Sequence, residues 1–205
     1  MDDYDRRHFI KTSIPGFLGI SMALPAITAF ATRANAYEGR LKSDGSINWD
    51  AFLSAIEIEA KKQHLDSWNE LAYVKQASAI AARLDLKDPN LEKAFTLAKA
   101  NGVGNKRVDF SKLEKQIDYH VTLVQFEKNE QIMHHDHPEM TGVLLCATGE
   151  VEVWNYDLFA EQENGKDVLL KQTSHAMLAK GKVSTLTSKE RNIHRVAARE
   201  FTQLV

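Results

Sequence analysis

The densest group of side chains able to bind a metal is a run of histidines past the middle of the chain. Residues 133–142 read Met-His-His-Asp-His-Pro-Glu-Met-Thr-Gly. In a β-strand, alternate side chains point to the same face, so His135 and His137 would present their imidazoles together. Imidazole is the commonest metal ligand in proteins, and the spacing therefore predicts part of a metal site. A surface pair, or two histidines buried with backbone partners, is the alternative.

A third ligand must come from elsewhere, because catalytic metal sites commonly use three protein ligands and leave other positions open. His194 lies in a predicted late strand, within Asn192-Ile193-His194. An early and a late strand lie side by side in a jelly-roll barrel, so distance along the chain is no obstacle. His175 and His120 are the other candidates, and spacing alone leaves the choice open.

Three helices are predicted ahead of this region, from apolar residues that recur at spacings of three and four. Asn48 is the predicted N-cap of the first helix. Ser67, with Glu70 three residues later, has the pattern of a capping box for the second helix. Asp88-Pro89 opens a short third helix. We interpret these helices as a layer that packs on the domain that follows.

The remainder of the chain is typical of short β-strands separated by turn residues. Turns are predicted at Gly149, Asn164-Gly165 and Lys180-Gly181. The predicted strands cover residues 121–126, 133–137, 142–147, 150–156, 168–172, 176–179, 183–187 and 193–198. This pattern predicts a mainly β sandwich or barrel with an N-terminal α-helical region.

Several other conspicuous residues are predicted to pack rather than to react. Trp49, Trp68 and Tyr73 fall on the helical pattern and are expected to be packing residues instead of a ligand box. Cys146 is the one cysteine, so no intrachain disulfide can form. It lies in an apolar run and is expected to be a small buried hydrophobe. The net charge of −2 gives no electrostatic reason to expect nucleic acid or an anionic membrane as a partner.

The first 36 residues have the three parts of an export signal. Arg6-Arg7 starts it, a short apolar stretch broken by proline and glycine follows, and Ala34-Asn35-Ala36 offers a cleavage site. The arginine pair is similar to a twin-arginine signal, which implies the twin-arginine export machinery as a partner. We expect cleavage after Ala36, a periplasmic or exported bacterial protein, and no stable membrane span afterwards; an uncleaved anchor is the alternative. The predicted division is signal 1–36, linker and helices 37–104, and metal-binding domain 105–205.

Two motifs resemble those of a known enzyme family. His135-Asp136-His137-Pro138-x-Met140-x-Gly142, with Gly149 seven residues later, resembles the first metal motif of cupin-type thiol dioxygenases such as cysteamine dioxygenase and the plant cysteine oxidases. Asn192-Ile193-His194 matches the Asn-hydrophobic-His form of their second motif. The resemblance implies a cupin double-stranded β-helix that holds Fe(II) with His135, His137 and His194. It also implies oxidation of a small thiol or cysteine-bearing substrate to a sulfinate with O₂.

The ligand set separates this chain from a generic cupin, which has a glutamate ligand four or five residues after the second histidine. Thr141 and Gly142 occupy those positions, which favours a three-histidine site. Three neutral imidazoles leave a divalent ion at +2, and such an ion favours anions such as a thiolate. Zn, Mn and Ni are alternative metals. A non-catalytic metal-binding cupin and a different cupin enzyme are the alternative functions.

Overall fold

The computed structural model describes residues 43–101, 108–161 and 168–205. The described helices are α1 (Trp49–Lys61), α2 (Glu70–Ala81) and α3 (Pro89–Asn101), with a 3₁₀ turn at Lys62–His64. The described strands are β1 (Val108–Lys115), β2 (His120–Phe126), β3 (Gln131–His135), β4 (Gly142–Thr148), β5 (Glu150–Glu161), β6 (Val168–Ala179), β7 (Val183–Leu186), β8 (Ile193–Ala198) and β9 (Thr202–Leu204). The predicted export signal and the predicted turn at Asn164-Gly165 lie outside the described residues.

The helix starts follow from capping side chains, with one difference from the sequence prediction. Asn48 caps α1 through its side-chain oxygen, as predicted, and Asp88 plays the same role for α3. The predicted capping box at Ser67 is wrong, because Asn69 caps α2 instead. An asparagine oxygen directly before the helix satisfies its free backbone amides, so Glu70 is not needed for that purpose.

The strands form two antiparallel sheets with the topology of a jelly-roll barrel. One sheet has the order β1-β2-β9-β4-β7, and the other has the order β3-β8-β5-β6. Strands that come early in the chain therefore pair with strands that come late, as β2 does with β9 and β3 with β8. Between the sheets lies a core of buried residues: Val124, Phe126, Cys146, Val151, Val153, Leu178, Val196, Ala198 and Leu204. The predicted cupin fold with an N-terminal helical region is confirmed.

Some predicted strand limits are wrong, and the reasons lie in the local residue types. Residues 168–172 and 176–179 were predicted as two strands but form one continuous strand, β6. Its middle residues are polar because β6 lies at the exposed edge of a sheet, and this polarity looked like a break in the sequence. β1 and β9 were not predicted, because β1 is rich in charged residues and β9 has only three residues. β3 ends at His135 rather than His137, with consequences for the histidine site described below.

The helices pack on the outer face of the five-stranded sheet. Buried residues from α1, α2 and α3 share a second core with Val121 of β2 and Leu145 of β4. Trp49 is buried in this core and its ring stacks on Phe52 at 5.3 Å between centroids, which confirms its packing role. In the described part of the chain, no helix is both long and apolar enough to cross a membrane.

Candidate metal centre

Strand pairing brings His135 and His194 together. β3 and β8 run antiparallel, and His135 lies directly opposite His194 in the register. The two Nε2 atoms are 2.9 Å apart, and the ring centroids are separated by 4.4 Å. Of the three candidates for the third position, His194 is therefore the one that meets the histidine pair.

His137 reaches the same point by a different route from the one that the sequence suggested. It lies beyond the end of β3, so strand alternation does not orient it. The side chain of Asn192 holds its backbone from both sides: the His137 amide donates to Oδ1 at 3.0 Å, and Nδ2 donates to the His137 carbonyl at 2.7 Å. The His137 Nε2 atom then lies 3.2 Å from that of His194.

The arrangement of ring nitrogens fits a cation better than it fits hydrogen bonding within the group. Ligand atoms of His135, His137 and His194 all lie within 4.8 Å of one another. The Nδ1 atom of His135 is 2.8 Å from the Met133 carbonyl oxygen, which can only accept a hydrogen bond. The proton of the neutral ring is therefore on Nδ1, and Nε2 has a free lone pair. His194 Nε2 faces two other Nε2 atoms, and one nitrogen with either a proton or a lone pair cannot satisfy both. A metal ion that accepts all three lone pairs removes this conflict.

The electrostatics of the site favour the neutral form of His137 and His194, which is the form that binds metal. His194 is 6% exposed, and burial, together with the neighbouring His135 and His137, lowers its pKa to about 3. Burial and His135 also lower the pKa of His137, against an opposing effect of Asp136. The lowered pKa values of these two rings reduce the competition between protons and a metal ion for their nitrogens.

The other two histidine candidates lie away from this point. His175 is on the outer face of the four-stranded sheet, where its ring stacks parallel to Trp154 at 4.9 Å and contacts the Glu152 carboxylate at 2.8 Å. His120, at the start of β2, lines the cavity described next but does not join the group. Within the described ranges, His135, His137 and His194 are the one such group of three or more potential ligands.

A cavity of about 630 Å³ adjoins the histidines, between the helical layer and the barrel. His137 and His194 form part of its wall. Trp68 and Tyr73, predicted as packing residues, do contact each other, with centroids 5.1 Å apart, but they also line this cavity. Its volume is in the range of small-molecule sites. This role could not be predicted from the sequence, because the cavity forms only when the helices dock on the sheet.

Cys146 has the role that the sequence predicted. Its side chain is fully buried in the core between the sheets, and burial raises the pKa of its thiol to about 11. A buried thiol with a raised pKa is not a nucleophile at neutral pH. Cys146 is therefore not a candidate for a reactive group at the histidine site.

The fold and the three converging histidines define a cupin with a candidate metal centre. A family model for the plant cysteine oxidases and cysteamine dioxygenases, PCO_ADO, matches residues 80–204. The match spans more than half of the chain, and the chain belongs to this family of cupin thiol dioxygenases. A search of curated proteins finds no significant match.

Solved structures with similar folds are distant in sequence. A cupin superfamily protein from Desulfitobacterium hafniense is 14% identical, with a TM-score of 0.36, and the match covers 53% of this chain and 82% of that one. A cupin-2 domain protein from Shewanella frigidimarina is 16% identical, with a TM-score of 0.37 and coverage of 56% and 86%. A hydroquinone 1,2-dioxygenase solved with Cd²⁺ is 17% identical, with a TM-score of 0.42 and coverage of 54% and 67%. These similarities concern the fold only.

Proposed function

We propose that this protein is an Fe(II)-dependent thiol dioxygenase that oxidises a small thiol or a cysteine-bearing substrate to a sulfinate with O₂. The observation that carries the proposal is the convergence of three imidazole nitrogens, from His135, His137 and His194, beside a cavity in a chain of this family. The ligands would be these three histidines.

The residues of the chain prepare the site for an anionic sulfur. An iron(II) ion bound there would stabilise the substrate thiolate and bring it together with O₂, so that both oxygen atoms are added to sulfur. Three neutral imidazoles leave the full +2 charge of the ion to attract a thiolate. The hydrogen bond from His135 to the Met133 carbonyl and the Asn192 bridge to His137 hold the rings in place.

The charge of the cavity favours a substrate that carries an amine. Among the described residues that line it, Glu70, Asp118 and Glu139 are acidic and none is lysine or arginine. Apart from the metal ion, a substrate carboxylate would find no lysine or arginine partner among these residues, whereas an ammonium group would be attracted. We therefore propose that cysteamine, or a peptide with an N-terminal cysteine, is a better substrate than 3-mercaptopropionate.

The test is thiol-dependent oxygen consumption by the mature protein. The protein would be purified without oxygen, analysed for metal, loaded with Fe(II), and supplied with cysteamine, cysteine or 3-mercaptopropionate. We expect O₂ uptake with cysteamine, and a product whose mass has increased by two oxygen atoms. His194→Ala should abolish uptake, and His175→Ala, on the outer face of the sheet, serves as the matched control.

Two results would contradict the proposal in different ways. Stoichiometric iron without thiol-dependent O₂ uptake would exclude a thiol dioxygenase. Tightly bound zinc without activity would instead favour a metal-binding cupin that is not an enzyme, since three histidines also suit zinc. Faster turnover of 3-mercaptopropionate than of cysteamine would leave the reaction intact but contradict the proposed preference for an amine.

A further inference from the structure

Glu70, the first residue of α2, spans from the helical layer to two loops of the barrel. Its carboxylate accepts hydrogen bonds from the Thr141 hydroxyl, from the Ser188 amide at 2.5 Å and from the Ser188 hydroxyl at 2.9 Å. Residues 70 and 188 are 118 positions apart in the sequence. One side chain thus joins three segments that are distant along the chain.

Both loops lead to residues of the histidine group. Thr141 lies between β3 and β4, in the segment 136–141 that contains His137. Ser188 lies between β7 and β8, in the loop that precedes Asn192. Asn192 closes the connection, because its Nδ2 atom donates both to the His137 carbonyl at 2.7 Å and to the Thr187 carbonyl at 2.9 Å. The residue next to Ser188 is therefore connected to the backbone of His137 through the side chain of Asn192.

The Glu70 carboxylate is well suited to hold these loops as an ion. Partial burial raises its pKa, but the hydrogen bonds from Thr141 and Ser188 and the charge of Lys189 outweigh that effect, so the pKa is lowered overall. An ionised acceptor makes stronger hydrogen bonds than a neutral one. Capping does not explain its position, since Asn69 already caps α2.

We propose that Glu70 is a positioning residue for the metal centre, which it organises by fixing the two loops that carry His137 and Asn192. The helical layer would then be part of the site, although Glu70 lies outside residues 80–204, where the chain matches its family. The inference rests on the proposed function only in that these histidines bind a metal ion.

Glu70→Gln tests the proposal with little change in shape. The amide keeps one acceptor oxygen, but it loses the charge and presents a donor to the Ser188 amide. Glu92→Gln is the matched control, because Glu92 is an exposed carboxylate in the first turn of α3, away from these loops. Ser188→Ala is a milder variant that removes one hydroxyl partner and keeps the amide contact.

The first measurement is the affinity of each purified variant for Co²⁺, followed by calorimetry and by the cobalt absorption spectrum. Partners of metal ligands typically contribute 10–100-fold to metal affinity. We expect about tenfold weaker binding and an altered spectrum in Glu70→Gln, a smaller loss in Ser188→Ala, and no change in Glu92→Gln. The double variant Glu70→Gln with Ser188→Ala should lose less Co²⁺ binding free energy than the sum of the two single losses, because both changes break the same contact.

The second measurement uses the metal-free chain and so does not depend on the proposed function. We expect amide hydrogen exchange to become faster in residues 136–142 and 187–192 of Glu70→Gln, with the rest of the barrel unchanged. Uniformly faster exchange with wild-type cobalt affinity and spectrum would show an ordinary stability contact and overturn the proposal. Failure of the wild-type chain to bind any metal would contradict the proposed function, while the exchange pattern would still decide whether Glu70 holds the loops.

Discussion

At the scale of single residues, sheet face decides which histidines can meet. Trp154 and Asn155 are neighbours on β5, and alternation puts their side chains on opposite faces. His175 pairs with Trp154 and points outward with it, whereas His194 pairs with Asn155 and points into the barrel. A shift of one residue in either register would exchange these environments. Spacing in the sequence cannot supply this information, which is why three histidines remained candidates for one position.

The first prediction follows from this difference between the two faces. His135→Ala, His137→Ala and His194→Ala should each abolish stoichiometric metal binding, because each removes one of three ligands. His175→Ala should keep the wild-type metal content. Elemental analysis of protein purified in parallel would measure both. Full metal retention by His194→Ala would show that the third ligand has been assigned to the wrong residue.

The second prediction concerns the pH dependence of the metal-free protein. The pKa of His194 falls from 6.5 to about 3 on folding, so between these values the unfolded chain binds a proton that the folded chain does not. Stability should therefore decrease as the pH falls, by at most about 1.4 kcal/mol per pH unit for this group. Urea unfolding between about pH 7 and about pH 5, above the range of most carboxylates, would measure it. His194→Gln should give a flatter profile, and an unchanged slope would contradict the assignment.

At the scale of secondary-structure elements, the three histidines converge as the sequence predicted, but partly for a different reason. Alternation along one strand was expected to align His135 and His137, yet β3 ends at the first of them. His137 is held by Asn192, which belongs to the second motif. This contact joins the loop after β3 to the loop before β8, so the sequence alone does not reveal it. Helix starts at Asn48 and Asp88 were predictable because capping depends on adjacent residues. The hydrogen bonds of Glu70 were not, because they depend on how the layers dock.

The third prediction concerns the tight turn between β4 and β5. Gly149 has a φ of 75°, and a Cβ atom there would collide with the Phe201 carbonyl and lie 2.6 Å from the Thr202 hydroxyl oxygen. Gly149→Ala should therefore lower the free energy of unfolding by more than about 3 kcal/mol, since both steric overlap and backbone strain contribute. Gly181→Ala is the control, because Gly181 has a φ of 81° with no atom within 4 Å of the added carbon.

Gly181→Ala should show only the conformational cost of a left-handed alanine, about 1–2 kcal/mol. Chemical denaturation of both variants would separate the two contributions. Equal losses would mean that the close approach of residues 201 and 202 to Gly149 does not limit that position. The comparison also tests why the family motif places a glycine seven residues after Gly142.

At the scale of the whole molecule, the cavity belongs to neither layer alone. Trp68, Glu70 and Tyr73 contribute its wall from the helical region, and His137 and His194 contribute from the barrel. Residue periodicity predicted both layers and their order. Periodicity could not predict the cavity, because the cavity volume depends on the distance between the helical layer and the barrel after they pack together. The substrate preference proposed above depends on that same interface.

The last prediction concerns the export of the whole chain, whose predicted signal lies outside the described residues. We propose export by the twin-arginine route, which carries folded proteins, so that the histidine site takes up iron inside the cell before it meets copper and zinc, which bind nitrogen ligands more tightly. We propose that Arg6→Lys combined with Arg7→Lys retains the full-length precursor in the cytoplasm, whereas Arg33→Lys, outside the pair, leaves export intact. Cell fractionation and mass spectrometry of the N-terminus would measure location and cleavage after Ala36. Normal export of the double variant would contradict the twin-arginine assignment, and an intact N-terminus on wild-type exported protein would indicate a retained anchor.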